Sequence, residues 1–553
     1  MLKKVIFGIM AMTLVIIAVY KWMPVGKEVD PLIYFNEFRN NVNNLVYEDE
    51  RVALNEPAMM IDNEIYVSYE FAREYISDTI FYDEEEKALT ITNVRELLRL
   101  YEGALEGRLN FDKIAVKNPV KEVDHIIYIP AGLISERFGI DITRGKDNRV
   151  FIASDKTKEK QLAVLKRNTS LRTHPQNRTT VIEPLKKGQK VIIYKEESDF
   201  LRVRSENGII GFIPKADIKD AVPIDGQLRD VVEALPMSKP LNDKVKLVWD
   251  QLGSKTPGDW TSPKYTNIKG ANVISPTWFE FEDDLGNLTD RGTRQYVIEA
   301  KKRNLQVWPL MSHNFTQPAL TKPILSSTAK RQHVIDQIIK KAEEYGYDGI
   351  NIDIENIQPE TSDVWVQFMR ELYPLLKEVG LSVSVDVYMP SDWSRHYQRE
   401  KIAEVCDYFI VMAYDQHWSG SENAGSVSEL SWVEEGIKRN LLEVEKEKLV
   451  LGIPFYTRIW EETDEGLKTK AYGMKPAWDM VKTWGVTPVL DEISGQKYAE
   501  IEKVSSVFKV WLEDESSIQK RIELLNQYDL AGYGAWKLGL ETPDIWHELQ
   551  KVQ

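Results

Sequence analysis

Between residues 241 and 553 the chain alternates between short apolar segments and stretches long enough for a helix. The strand-like segments fall at 245–249, 272–278, 306–311, 349–355, 381–388, 408–414, 449–456 and 532–538, and helical periodicity is clearest at 333–345 and 364–379. Strands separated by helices over roughly 250 residues or more predict a closed (β/α)8 TIM barrel, a fold that places its chemistry at the C-terminal ends of the strands. The interval 458–530 is too long for one crossover and predicts a small insertion between strands 7 and 8.

A chain of 553 residues holds more than that barrel, and roughly 150 residues per domain predicts three or four domains. Residues 61–68 (Ile-Asp-Asn-Glu-Ile-Tyr-Val-Ser) line up with residues 123–130 (Val-Asp-His-Ile-Ile-Tyr-Ile-Pro), and each copy precedes a helix pattern and a short strand, at 89–92 and 150–153. Such a repeat implies a pseudo-symmetric α+β unit. It resembles the stalk domains of bacterial exported proteins and is similar to the N-terminal region of copper amine oxidases. The segment itself offers copper no ligand cluster, because His125 is its lone histidine. Residues 162–220 hold short strands punctuated by turns at Pro175, Gly188 and Gly208. This stretch resembles a bacterial SH3 domain, either a binder of cell-wall peptides or a spacer without a ligand. The expected order is a membrane anchor at 1–24, an α+β stalk domain with its repeat at 25–156, a small SH3-like β-barrel at 160–220, a linker at 221–240 and the TIM barrel at 241–553.

Lys3 and Lys4 precede an apolar run over residues 5–20, and no Ala-x-Ala cleavage pattern follows it. A span needs about 17 to 25 residues, so the run with its flanking Trp22 and Met23 reads as an uncleaved single-pass anchor with the remainder outside the cell. The alternative is a removed signal peptide and a secreted protein. The 71 basic and 86 acidic residues leave a net charge of −15, which opposes general affinity for nucleic acid. One cysteine, Cys406, excludes an internal disulfide and a Cys-based metal site. No metal site or other cofactor is expected, and the oligomeric state is not readable. Of the 15 tryptophans, 14 lie beyond residue 241; exposed aromatic faces stack on sugar rings, so this region is expected to handle carbohydrate.

The fourth strand reads Asp348-Gly349-Ile350-Asn351-Ile352-Asp353-Ile354-Glu355. Side chains alternate across a strand, so the isoleucines share one face and Asn351, Asp353 and Glu355 the other. Isoleucines packed on the helices leave three polar groups aimed at the barrel axis, where an unpaired charge costs several kcal/mol. Same-face neighbours lie about 6.6 Å apart, and repulsion between two carboxylates raises one pKa, which supplies a general acid near neutral pH. An Asp-x-Glu pair alone is commonplace on solvated strands; its place at the end of a barrel strand makes it catalytic.

This string closely resembles the Asp-x-x-Asp-x-Asp-x-Glu motif of glycoside hydrolase family 18, the chitinase-like enzymes. Met412-Ala413-Tyr414-Asp415, Gly452-Ile453-Pro454-Phe455-Tyr456 and Trp536 match its sixth, seventh and eighth strands. The resemblance implies that Glu355 is the acid/base, that Asp353 orients the substrate's 2-acetamido group, whose oxygen acts as nucleophile with net retention, and that Asp348 supports Asp353 electrostatically. It further implies that Tyr414 hydrogen-bonds the acetamido group, that Trp536 forms the floor under the sugar, and that Asp415 and Tyr456 are pocket residues. Asn351, Trp278 and Trp418, which follows the sixth strand, are expected beside them as substrate-binding residues. Barrel packing is the other reading of Tyr456 and Trp536. Asn351 stands where most chitinases carry the middle Asp. The string 345–353 is similar to the bacterial subgroup with spore-germination and cortex-lytic N-acetylglucosaminidases, which implies peptidoglycan as substrate. Two alternatives stay open: a hydrolase of chitin or chitooligosaccharides, and a wall scaffold that binds glycan without catalysis.

Overall fold

The computed structural model describes residues 12–13, 26–39, 43–219, 221–224, 241 and 243–553. The anchor expected over 1–24 and the linker expected over 221–240 lie almost wholly outside the described residues, and none of the described helices is long and apolar enough to cross a membrane.

The two repeat copies form hairpins, Ala58–Ile61 with Glu64–Ser68 and Lys121–Val123 with Ile126–Pro130. Their turns are Asp62-Asn63 and Asp124-His125, all four residues at positive φ. Short polar residues tolerate that geometry, which two-residue hairpin loops require. The copies then pair with each other, and Val67 lies opposite Ile129, its own equivalent in the repeat. Each hairpin leads into a helix, Tyr69–Phe71 continued by a π turn in one copy and Ala131–Phe138 in the other. A five-stranded sheet from Ile80–Asp83 to Asp112–Ala115 and a four-stranded sheet that sets Asn44–Tyr47 beside Val150–Asp155 complete this module. Beyond it a seven-stranded antiparallel sheet spans Lys160–Val164 to Val222–Ile224 around its own core of Leu171, Val203 and Ile213.

The barrel strands are β1 (Val245–Asp250), β2 (Val273–Glu280), β3 (Gln306–Val307 and Leu310–Ser312), β4 (Gly349–Asp353), β5 (Ser382–Tyr388), β6 (Tyr408–Met412), β7 (Leu449–Pro454) and β8 (Gly532–Trp536). All neighbours are parallel, and β1 pairs with both β2 and β8, which closes the cylinder. The outer layer includes α1 (Arg294–Lys301), α2 (Thr328–Tyr345) and α3 (Ser362–Glu378). Inside, Leu247, Trp308, Tyr408 and Val450 plug the barrel, so polar groups can reach solvent at the C-terminal end only. Between β7 and β8 the chain forms a five-stranded antiparallel sheet from Tyr456–Thr463 to Ser506–Leu512 with the helix Met474–Trp484 against it.

The N-terminal module is seated on the outer helices. Asp83 accepts from the backbone N–H and hydroxyl of Thr328, at 3.0 and 2.7 Å, and Glu86 accepts from the N–H of Ala329. Two carboxylates from another domain thus cap the unsatisfied N–H groups of α2 and complement its dipole. Beside them Arg99 meets Glu371 of α3 at 2.8 Å, and Arg331 of α2 meets the same carboxylate at 2.8 Å, all three side chains out of contact with water.

Candidate active site

In β4 the expected alternation holds: Ile350 and Ile352 join the core under the helices, and Asn351 and Asp353 face the axis. The ladder ends at Asp353, two residues before the expected end. The backbone N–H of Glu355 donates instead to His313 Nδ1 at 3.2 Å, and its carbonyl accepts from the Tyr397 hydroxyl, so the main chain leaves the sheet while the side chain still enters the cleft. Burial pushes the His313 imidazole down to about 4, which leaves its ring neutral and its Nδ1 free to accept.

β5 repeats the pattern of β4. Val383, Val385 and Val387 face the helices, while Ser384, Asp386 and Tyr388 face the axis. The Tyr388 hydroxyl donates to Glu355 Oε2 at 2.6 Å, and Asn351 Nδ2 donates to Asp386 Oδ1 at 2.8 Å. Asp353 is 7% exposed, its carboxyl has no hydrogen-bond partner, and Oδ1 is fully buried. These groups line a cleft of about 710 Å³ that also exposes Trp249, Phe279, Glu280, Arg291, Tyr414, Asp415 and Trp536.

Three acidic groups therefore share one site without a basic side chain bonded to any of them. Burial, then the charges of Glu355 and Asp386, push Asp353 well above its usual 3.8. Burial also raises Glu355; the Tyr388 hydrogen bond opposes it and the charge of Asp415 adds to it. Asp386 is raised by burial and by Glu355, against the pull of Asn351. All three carboxyls hold their protons to higher pH than free carboxyls do, which suits one of them to deliver a proton to a leaving group.

Tyr414 and Trp536 line the cleft, the Trp536 ring 6.0 Å from that of Trp249. Trp249 lies close because Gly534 presents no side chain to it; a Cβ there would come within 2.7 Å of its ring. Asp415, at a φ of 58°, turns the chain off β6 into the cleft and accepts from the Tyr456 hydroxyl at 2.5 Å. Tyr456 is buried outside the lining and positions Asp415 rather than touching substrate.

Four further expectations need correction. Asp348 does not support Asp353: it starts the strand at the opposite end, where it accepts from the N–H of Val307 at 3.0 Å and pairs with Lys301 at 2.9 Å. Five residues at about 3.3 Å each separate the two carboxylates along β4. Asn351 is fully buried beneath the cleft and spends its amide on Ser384, Asp386, Trp249 and Ser275, so it contacts neither substrate nor Asp353. Trp278 is 0% exposed among Tyr296, Tyr345 and Tyr347, because alternation along β2 turns Thr277 and Phe279 toward the cleft and the tryptophan toward the helices. Trp418 is 55% exposed on the loop after β6 and does not line the cleft. Asp386, Tyr388 and Trp249, which do shape the site, were not expected. The Ser-Val-Ser-Val-Asp-Val-Tyr alternation of residues 382–388 carries the signal for the first two.

Residues 288–541 match the glycosyl hydrolases family 18, and residues 46–153 match the copper amine oxidase N-terminal domain. The barrel is a family 18 glycosidase domain. An uncharacterized glycosylase of Bacillus subtilis (strain 168), YvbX, is 27% identical over 293 residues, 51% of this chain and 84% of the relative. The cortical fragment-lytic enzyme of the same organism is 25% identical over 238 residues, 41% of this chain, and the match spans about half (54%) of that enzyme's length. Among solved structures, the spore cortex-lytic enzyme SleL of Bacillus megaterium QM B1551 superposes with a TM-score of 0.50 at 20% identity over 56% of this chain and 75% of its own. A chitinase from Chromobacterium violaceum ATCC 12472 gives 0.50 at 19% identity over 56% and 98%. Among the described residues no group of three or more His, Cys, Asp or Glu side chains is arranged to hold a metal ion.

Proposed function

We propose that this glycosidase cleaves β-linked N-acetylglucosamine glycans of peptidoglycan by substrate-assisted, retaining catalysis. The observation that carries the reading is the pairing of a raised Glu355, held by Tyr388, with an Asp353 whose carboxyl lacks any protein partner at the floor of an open cleft. A buried polar atom without a partner costs about 1–3 kcal/mol. An acetamido N–H supplies the missing donor, and engaging it aims the acetamido oxygen at the anomeric carbon. Glu355 protonates the glycosidic oxygen as the bond breaks, then takes a proton from the water that opens the cyclic intermediate. Tyr414 donates to the acetamido oxygen, and Trp536 stacks beneath the sugar.

The wall as target is supported by the likeness to the cortical fragment-lytic enzyme, by the exported N-terminal pattern Lys-Lys followed by an apolar run, and by the seven-stranded sheet, which we assign to an SH3-like wall-binding role. In this reading residues 1–24 anchor the chain in the cell membrane and the barrel works on the outer side.

Mass spectrometry of fragments released in parallel from purified wall sacculi and from chitin tests the proposal. The expected result is new N-acetylglucosamine reducing ends from sacculi with the wild-type chain and none with Glu355→Gln. Release from chitin alone makes the chain a chitinase, and binding with no new reducing ends from either glycan makes it a scaffold.

A further inference from the structure

Among the described residues lining the cleft, Arg291 is the one cation, set among Glu280, Asp353, Glu355, Asp386 and Asp415. It is 26% exposed at the side chain and bonds Glu280 Oε1 through Nη2 at 2.6 Å. No other protein acceptor meets the guanidinium, so its Nε and Nη1 donors are free in a cleft whose other charges are all acidic. Its backbone is fixed on both sides. The N–H of Arg291 donates to the Trp278 carbonyl at 3.1 Å, and the neighbouring Asp290 receives the Tyr345 hydroxyl at 2.6 Å and Lys341 at 2.9 Å. The partner Glu280 in turn bears on His313, the ring that holds the backbone of Glu355. A guanidinium fork placed this way is pre-organised for a planar anion.

We infer that Arg291 is a specificity subsite for a carboxylate carried by the glycan. This rests on the peptidoglycan reading above, in which every second sugar bears a lactyl ether. An uncharged N-acetylglucosamine polymer has nothing to offer the free donors. A glycan whose lactyl groups end in free carboxylates does, and so does one whose stem peptides carry their own. Without Arg291 no cation in the cleft lining receives a carboxylate from either substrate. Glu280 keeps the side chain extended into the cleft while empty and yields part of the fork on binding.

The experiment compares three substrates of equal length: a denuded muramyl glycan with free lactyl carboxylates, the same glycan with those groups converted to methyl amides, and an N-acetylglucosamine oligomer. A fourth arm uses peptide-bearing muramyl glycan. The readout is the ratio of kcat/KM on each muramyl substrate to that on the uncharged oligomer, for wild type, Arg291→Gln and Arg291→Lys. A hydrogen bond to a charged group supports a loss of about 10- to 100-fold. That fall is expected in the ratio for free carboxylates in Arg291→Gln, with an intermediate fall in Arg291→Lys, which keeps the charge and the fold but not the fork. In wild type, amide blocking should produce the same fall. If peptide-bearing glycan shows the fall and denuded glycan does not, the carboxylate recognised is that of the stem peptide. Ratios unmoved in both variants while wild type cleaves muramyl glycan overturn the Arg291 assignment alone. If wild type cleaves no muramyl glycan, the peptidoglycan reading falls and this subsite with it.

Discussion

Two buried acidic sites in this molecule are treated in opposite ways. Glu371, on the helix side of the barrel, lies between Arg99 from the N-terminal module and Arg331 from α2, and it also accepts from Gln367 at 3.0 Å. Burial pushes it up, yet the two guanidiniums outweigh that and hold it below its usual range. At the strand ends, Asp353 and Asp386 are buried and Glu355 is half-buried beside the cleft; none has a bonded cation, and all three are raised. The first arrangement keeps a charge and fastens two domains. The second suppresses charge and stores a proton beside an opening. A buried carboxylate announces chemistry only when its neighbours leave it unneutralised and substrate can reach it.

The contrast is most exposed by Glu355→Gln. General-acid catalysis is typically worth about 10² to 10⁴-fold, and kcat on wall glycan should fall by that much, while the unfolding temperature stays level or rises because a strained carboxyl is gone. Arg99→Ala should do the reverse. Removing one partner of a buried ion network costs about 3 kcal/mol, visible as a lower denaturation midpoint, with kcat/KM within about twofold of wild type.

pH sharpens the same comparison. The cluster's folded pKa values lie above the ordinary 3.8 and 4.5, so the native state holds protons that the unfolded chain releases. Its contribution is greatest below those ordinary values and is lost as pH rises through the raised ones. Glu371 is depressed, so its contribution is present above 4.5 and is lost as pH falls through its folded value. Denaturation midpoints measured across pH in Glu371→Gln and Asp386→Asn should therefore differ from wild type at opposite ends of the range. In kinetics, the Tyr388 hydrogen bond lowers Glu355. Tyr388→Phe should move the basic limb of the kcat/KM profile to higher pH, along with a lower maximum. A limb that stays put or moves down detaches Tyr388 from the acid.

The smallest effect is expected at Asp348. Its pair with Lys301 is partly exposed, and such pairs are worth about 0–1 kcal/mol. Asp348→Asn should leave the pH profile of kcat/KM in place and its height within about twofold.

The barrel and its acid were legible because each barrel strand has two dissimilar environments, and period-2 alternation writes that difference into residues 349–355. The same script stands in residues 382–388, where spaced serines dilute the acidic signal and hide Asp386 and Tyr388. The same count by two places Trp278 with the helices, since Ser275, Thr277 and Phe279 hold the axis face; its residue type suggests a sugar platform and its position does not. Motif spacing fails at Asp348, since being close in sequence along a strand means being far apart in space. Arg291 and the Arg99–Glu371 pair have no local signature at all. The first depends on a loop folded back on β2, and the second joins residues 272 positions apart in the chain.

The central claim is that Glu355 stays protonated in order to give its proton to the departing sugar, and leaving-group dependence tests it most directly. Wild type and Glu355→Gln are compared on the wall glycan and on an aryl N-acetylglucosaminide whose phenol departs without protonation. The account predicts a loss of about 10²- to 10⁴-fold on the glycan and a loss at least tenfold smaller on the aryl glycoside. Equal losses on both substrates contradict it.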